Sequence, residues 1–146
     1  MKIAFGCDHA GIEVKDKLIS FIKSLGHEVI DCGTDSKESC DYPDFALKVS
    51  QNVVSKVADK GVLICGTGIG MSIAANKVKG IRAAVCWSKD TAKLIAQHNN
   101  ANVMCAGARF AEVDEICSWI KIFLGTEFEQ RHTKRIDKIT QIEKQY

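Results

Sequence analysis

Apolar residues in this chain come in short runs that alternate with stripes at helical spacing. Ile3-Ala4-Phe5 is a short run of the buried-strand kind, ending at Gly6-Cys7-Asp8-His9. Val14, Leu18, Phe21, Ile22 and Leu25 then mark one face of a helix that Gly26 stops. His27 to Ile30 reads as a second strand. The polar stretch Asp35 to Asp41 precedes Pro43, the only proline, which suits the first turn of a helix carrying Phe45, Val49 and Val53 inward. Gly61 to Ile64 is a third strand. Ile81 to Cys86 is a fourth, with a helix running to about Gln97. Asn102 to Ala106 is the fifth. Val113, Ile116, Ile120, Phe123 and Leu124 follow on one helix face, closed by Gly125.

Five short strands separated by helices predict an α/β fold: a Rossmann-like, five-stranded parallel sheet with helices on both faces. Such sheets bind ligands beyond the carboxyl ends of the strands, where strand order reverses. In a flavodoxin-like order that crevice lies between strands one and three. The two most unusual loops, Asp8-His9 and Cys65 to Gly70, follow those two strands. Residues 1–146 are expected to form one domain, with 126–146 as a C-terminal helical extension. Ile136, Ile139 and Ile142 give that extension a narrow apolar stripe, suited to its own sheet or to a second subunit.

The charge balance adds little. A formal net charge of +2 is too small to predict a nucleic-acid surface. No apolar run approaches the length needed to span a membrane. Seven cysteines cannot all pair within one chain, and none lies in a C-x-x-C, so zinc-ribbon and thioredoxin readings have no support. The chain opens on Met-Lys-Ile-Ala-Phe, read as a strand with no signal peptide before it, and the expected setting is the cytoplasm.

The chemistry concentrates at Cys65. It ends the run Val62-Leu63-Ile64 and opens Cys65-Gly66-Thr67-Gly68-Ile69-Gly70, which leads into a helix. A thiol there faces the amides and positive end of a helix N-terminus, which favours thiolate. The same amides can hold an oxyanion. Other glycine-loop readings fail. G-x-G-x-x-G has Met71 where its third glycine belongs, and a P-loop would need Gly-Lys-Ser/Thr. A cysteine phosphatase loop would need an arginine where Met71 stands. No His/Glu pair has zincin spacing, so neither metal nor cofactor is expected.

With these residues in view, the chain resembles the type B ribose-5-phosphate isomerases, in the family that also holds galactose-6-phosphate and allose-6-phosphate isomerases. The resemblance rests on Gly6-Cys7-Asp8-His9-Ala10-Gly11, Asp41-Tyr42-Pro43, Ile64 to Gly70, Ala74-Ala75-Asn76-Lys77 and Gly80-Ile81-Arg82-Ala83. It continues through Gln97-His98-Asn99, Gly107-Ala108-Arg109 and Arg131-His132-x-x-Arg135. It implies a Rossmann-like fold, metal-free aldose–ketose isomerisation, and homodimers or homotetramers with sites near subunit contacts.

The resemblance also implies roles. Cys65 looks like the base that moves a proton between C2 and C1. Some family members use a carboxylate at the position of Met71 instead, and Met71 cannot take a proton. Amides from Gly66 through Gly68 and Ile69 to Gly70 would hold the enediolate oxygen. Thr67 would share a proton with the ring oxygen or with O1. His98, expected just past a helix, resembles the ring-opening residue, and Asn99 adjoins it. Asp8 and Tyr42 would bind sugar hydroxyls. His9, Arg109, Arg131 and Arg135 are the phosphate candidates, and His132 either contacts phosphate or flanks the site. The rivals are a hexose-6-phosphate isomerase and, from another class, a non-catalytic phosphate- or nucleotide-binding module, which would need the loop and the arginines but neither Cys65 nor His98.

Overall fold

The computed structural model describes residues 1–146. Five strands form one sheet: β1 (Lys2–Cys7), β2 (Glu28–Asp31), β3 (Lys60–Cys65), β4 (Ala83–Val85) and β5 (Val103–Gly107). All pairings are parallel. Six helices accompany them: α1 (Ile12–Ser24), α2 (Tyr42–Val54), α3 (Ile69–Ala75), α4 (Lys89–Gln97), α5 (Val113–Gly125) and α6 (Thr133–Gln145). Single 3-10 turns, His9–Gly11 and Gln130–His132, precede α1 and α6.

Side-chain alternation along the strands builds two cores. Ile3, Phe5, Val62, Ile64, Met104 and Ala106 face one layer, where Leu18, Ile22, Ile116, Ile120 and Phe123 of α1 and α5 cover them. Ala4, Leu63, Cys65, Val103 and Cys105 face the other, under Val49 and Val53 of α2 and Met71 and Ala75 of α3. Both faces of the central strands are dry, which is why they read as unbroken apolar runs.

The strand order is β2-β1-β3-β5-β4. The reversal between β1 and β3 is where the flavodoxin-like order places it. The last two strands are exchanged relative to that order: β5 pairs with β3, and β4 takes the edge. The edge strand is correspondingly short. Ile81 and Cys86 lie outside its ladder, and its residues are only half-buried.

Between β2 and α2 the chain makes a polar loop held from below by one buried cation. Lys15 Nζ lies 2.9 Å from Asp31 Oδ2 and 2.7 Å from Asp35 Oδ1, and donates to Thr34 O at 2.9 Å. This loop carries Cys40 to His9, whose Nδ1 accepts from Cys40 N–H at 3.2 Å. On α6, Ile136 is buried, whereas Ile139 and Ile142 stay 45% and 61% exposed. The extension's own chain therefore covers only the first residue of its stripe. No helix is long and apolar enough to cross a membrane.

Candidate active site

Cys65 is the last residue of β3, and its sulfur is fixed by the turn that follows. Gly68 N–H donates to Cys65 Sγ at 3.1 Å. The turn is possible because Gly68 has φ +79°, and a Cβ there would sit 3.0 Å from the Ala106 backbone on β5. Both conditions favour glycine over any residue with a side chain. Ile69 N–H donates to Thr67 Oγ1 at 3.1 Å, closing the loop on itself.

Those two bonds narrow the expected anion hole. The amides of Gly68 and Ile69 are occupied within the loop. The amides of Gly66, Thr67, Gly70 and Met71 make no hydrogen bond within the chain. Met71 thus enters as a backbone donor, although its side chain is buried. Its signal in the sequence was hidden behind the side-chain chemistry.

A cleft of about 200 Å³ opens over this loop, at the carboxyl ends of β1 and β3. Asp8, His9, Ala10, Tyr42, Cys65, Gly66, Thr67, Gly70 and Arg109 line it. Asp8 is buried, and its Oδ1 accepts from Ala10 N–H at 2.9 Å, capping the 3-10 turn. Its other oxygen has no protein partner, so capping and ligand binding are compatible. The Tyr42 ring packs over Gly70, where a Cβ would come within 2.7 Å of the ring. Arg109 N–H donates to Gly66 O at 3.1 Å, and its guanidinium lies across Gly66. A cation and a histidine therefore stand in the same cleft as the thiol.

The remaining expected residues are elsewhere. His98 is the C-cap of α4. A helix in a parallel α/β fold runs back against the strands, so His98 lies at the amino end of β5, whereas Cys65 pairs with Gly107 at its carboxyl end. The length of β5 separates them, roughly 13 Å at about 3.3 Å per residue. His98 stacks on His132, ring centroids 4.4 Å apart. Glu129 N–H donates to Gln97 O at 2.9 Å, docking the turn before α6 onto the end of α4. Arg131 Nε pairs with Glu129 Oε2, and Arg135 Nη1 lies 3.5 Å from His132 Nδ1. The Arg131 contact holds the Glu129 carboxyl below its ordinary range, and burial with neighbouring cations holds the His132 imidazole below its own. Asn99 lines a separate hollow of about 350 Å³ with Asn76, Arg82 and Ile139.

The meeting of His98, Glu129 and His132 is invisible in the sequence, because their spacing fits no metal motif. Folding nevertheless brings one ligand atom of each within 4.8 Å of the others.

One chain thus carries two separate clusters of the expected residues, a thiol cleft and a basic His–His–Arg cluster. The ranges over which the chain matches known proteins include both clusters. The model of the ribose/galactose isomerase family matches residues 3–139. The chain is 46% identical over 143 residues to ribose-5-phosphate isomerase B of Escherichia coli strain K12, covering 97% of this chain and 96% of that protein. Its fold superposes on the Clostridium thermocellum ribose-5-phosphate isomerase B with a TM-score of 0.97 at 48% identity, covering 100% and 99% of the two chains. The Mycoplasma genitalium enzyme, solved with bound ribulose 5-phosphate, gives 0.95 at 41% identity, covering 99% and 97%. With its cleft, its thiol loop and a family match over nearly its whole length, this chain belongs to the ribose/galactose isomerase family.

Proposed function

We propose that this protein interconverts ribose 5-phosphate and ribulose 5-phosphate through an enediolate, in a site assembled from two copies of the chain. The observation that carries the reading is Cys65 itself. Its sulfur is held by one loop amide while four neighbouring amides stand unbonded beside it.

The chemistry follows from those positions. Cys65 as thiolate takes the proton from C2 of the open-chain aldose and returns it to C1. The enediolate oxygen carries charge only after the proton leaves, so the amides of Gly66, Thr67, Gly70 and Met71 stabilise the transition state more than the substrate. Thr67, which lines the cleft, shares a proton with O1. Asp8 and Tyr42 bind sugar hydroxyls. His9 and Arg109 lie in the cleft for the anionic end.

Ring opening needs an acid–base group within about 3 Å of the ring oxygen. His98 of the same chain is several times farther from Cys65. In the proposed assembly a second copy of the chain supplies this group through its own His98, and brings Asn99, Arg131, His132 and Arg135 with it. Apolar side chains suited to such a contact flank both half-sites. Ile69 and Ile73, one turn apart on α3, are 57% and 59% exposed, and Ile139 and Ile142 follow on α6. A homodimer with exchanged half-sites satisfies both surfaces by one symmetry operation. Seven free cysteines suit a reducing, cytoplasmic setting.

The test is conversion of ribose 5-phosphate by the purified chain, compared with allose 6-phosphate and galactose 6-phosphate. The anchors at the phosphate and at Cys65 define a span, and a misplacement of about 1 Å can cost on the order of a hundredfold in rate. The expected result is a higher kcat/KM for the pentose phosphate. A higher value for either hexose phosphate would move the assignment to that branch of the family.

A further inference from the structure

His98, Glu129 and His132 bring three metal-ligating groups to one place. His132 Nε2 is buried and has no hydrogen-bond partner. Its side chain is 9% exposed, and Nε2 lies 3.9 Å from Glu129 Oε2, outside hydrogen-bond range. The His98 ring covers its other side at a centroid distance of 4.4 Å. Two imidazoles and a carboxylate so arranged are a soft–hard donor set of the His2Glu kind that suits zinc.

We propose that His98, Glu129 and His132 form a binding site for one zinc ion, whose occupation inhibits the enzyme. Zinc–nitrogen and zinc–oxygen bonds of about 2.0–2.1 Å put tetrahedral donors ~3.4 Å apart. The Glu129–His132 pair, at 3.9 Å, is only slightly wider than that. The ligand atoms of the full set lie within 4.8 Å of one another, and the tilted His98 and His132 rings must turn for both lone pairs to meet the ion. The fourth position is left to water. Two local features oppose binding. Arg131 Nε holds Glu129 Oε2, and Arg135 Nη1 stands 3.5 Å from His132 Nδ1. Coordination through Nε2 leaves the proton on Nδ1, so Arg135 must turn away. The site is therefore of modest affinity and loads when zinc is in excess.

The inhibition rests on the isomerase reading given above: a metal-bound His98 cannot exchange a proton with the ring oxygen. Metal binding itself does not depend on that reading. The experiment uses full-length protein freed of metal by EDTA and desalted. Cobalt is titrated as the spectroscopic probe, and zinc is then used to displace it. The expected result is one cobalt per chain, with visible d–d bands and no sulfur-to-cobalt charge-transfer band. Glu129→Gln and His132→Asn should each weaken binding at least tenfold, and Arg131→Gln, which frees Glu129, should strengthen it. Glu129→Gln keeps the side chain's shape, so a folding failure of His132→Asn leaves the test intact. In the wild type the isomerisation rate should fall in step with zinc occupancy, each variant being referred to its own metal-free rate. A charge-transfer band, or equal binding by wild type and Glu129→Gln, would overturn the site. Occupancy by these ligands with an undiminished rate would overturn the inhibition and, with it, the role of His98.

Discussion

Replacing Cys65 by serine removes the proposed base and little else. The residue is 5% exposed, and a serine Oγ can still accept the Gly68 N–H that now reaches the sulfur at 3.1 Å. The hydroxyl is therefore buried with a partner, and the stability cost should stay within about 1 kcal/mol. For a chain of this size that lowers Tm by roughly 2–4 °C. The cleft contacts of Asp8, His9, Tyr42 and Arg109 are untouched, so KM should change little. The effect belongs in kcat, because a serine hydroxyl stays protonated at neutral pH. A positioned general base contributes about 10²–10⁴-fold, so a loss near 10³-fold, or ~4 kcal/mol of barrier, is expected. The assay is steady-state conversion of ribose 5-phosphate alongside a thermal melt of the same sample. A kcat within tenfold of wild type, in a variant with an intact melt, would refute the role. A raised KM with unchanged kcat would make Cys65 a binding residue instead.

Other perturbations follow from the same geometry. Gly68→Ala should lower stability by roughly 1–3 kcal/mol and impair turnover, because φ +79° and the Ala106 backbone at 3.0 Å both oppose a side chain; Gly26→Ala, with φ +91° and open space, should cost less and leave activity intact. Equal damage from the two would mean that the close approach to β5 is unimportant. Iodoacetamide should inactivate the enzyme by modifying Cys65, with protection by phosphate, while Cys7 and Cys86, each pushed up to about 12 by burial, should stay unmodified. Mass spectrometry finding an active enzyme fully alkylated at Cys65 would contradict this. Asp35 is held below its ordinary value of 3.8 by its hydrogen bond from Lys15 and by that cation's charge. A depressed carboxylate stabilises the fold above the unfolded value and loses that contribution as pH falls through the folded value. Asp35→Asn should therefore lower Tm at pH 7, and the difference should begin to shrink near pH 3.8 and vanish once the pH has fallen through the lower folded value; a gap that persists in strong acid would point to packing rather than charge.

Much of the fold could be read because each central strand is buried on both faces and each helix on one. Ile3, Val62 and Met104 need no neighbour in sequence to declare themselves. The order of the last two strands could not be read, since β4 and β5 carry similar short apolar runs and nothing local says which lies at the edge. The thiol loop was legible as a unit: Cys65, the left-handed Gly68 and the opening of α3 occur in one stretch. The distribution of amide donors was not, because it depends on where Sγ and Thr67 Oγ1 point. His98 was placed correctly past a helix, yet its distance from Cys65 emerges only from the direction in which α4 runs. The exposure of Ile139 and Ile142 beyond a buried Ile136 is likewise a property of packing.

The central claim is that each catalytic site draws Cys65 from one chain and His98 from another. Cys65→Ser and His98→Asn proteins should each be nearly inactive. Mixed in equal amounts and allowed to exchange subunits, half the dimers become mixed pairs, each with one intact site. Activity should then recover to about a quarter of wild type, as two-fold symmetry requires. No recovery, with subunit exchange verified by native mass spectrometry, would place both residues in one chain's site and contradict the account.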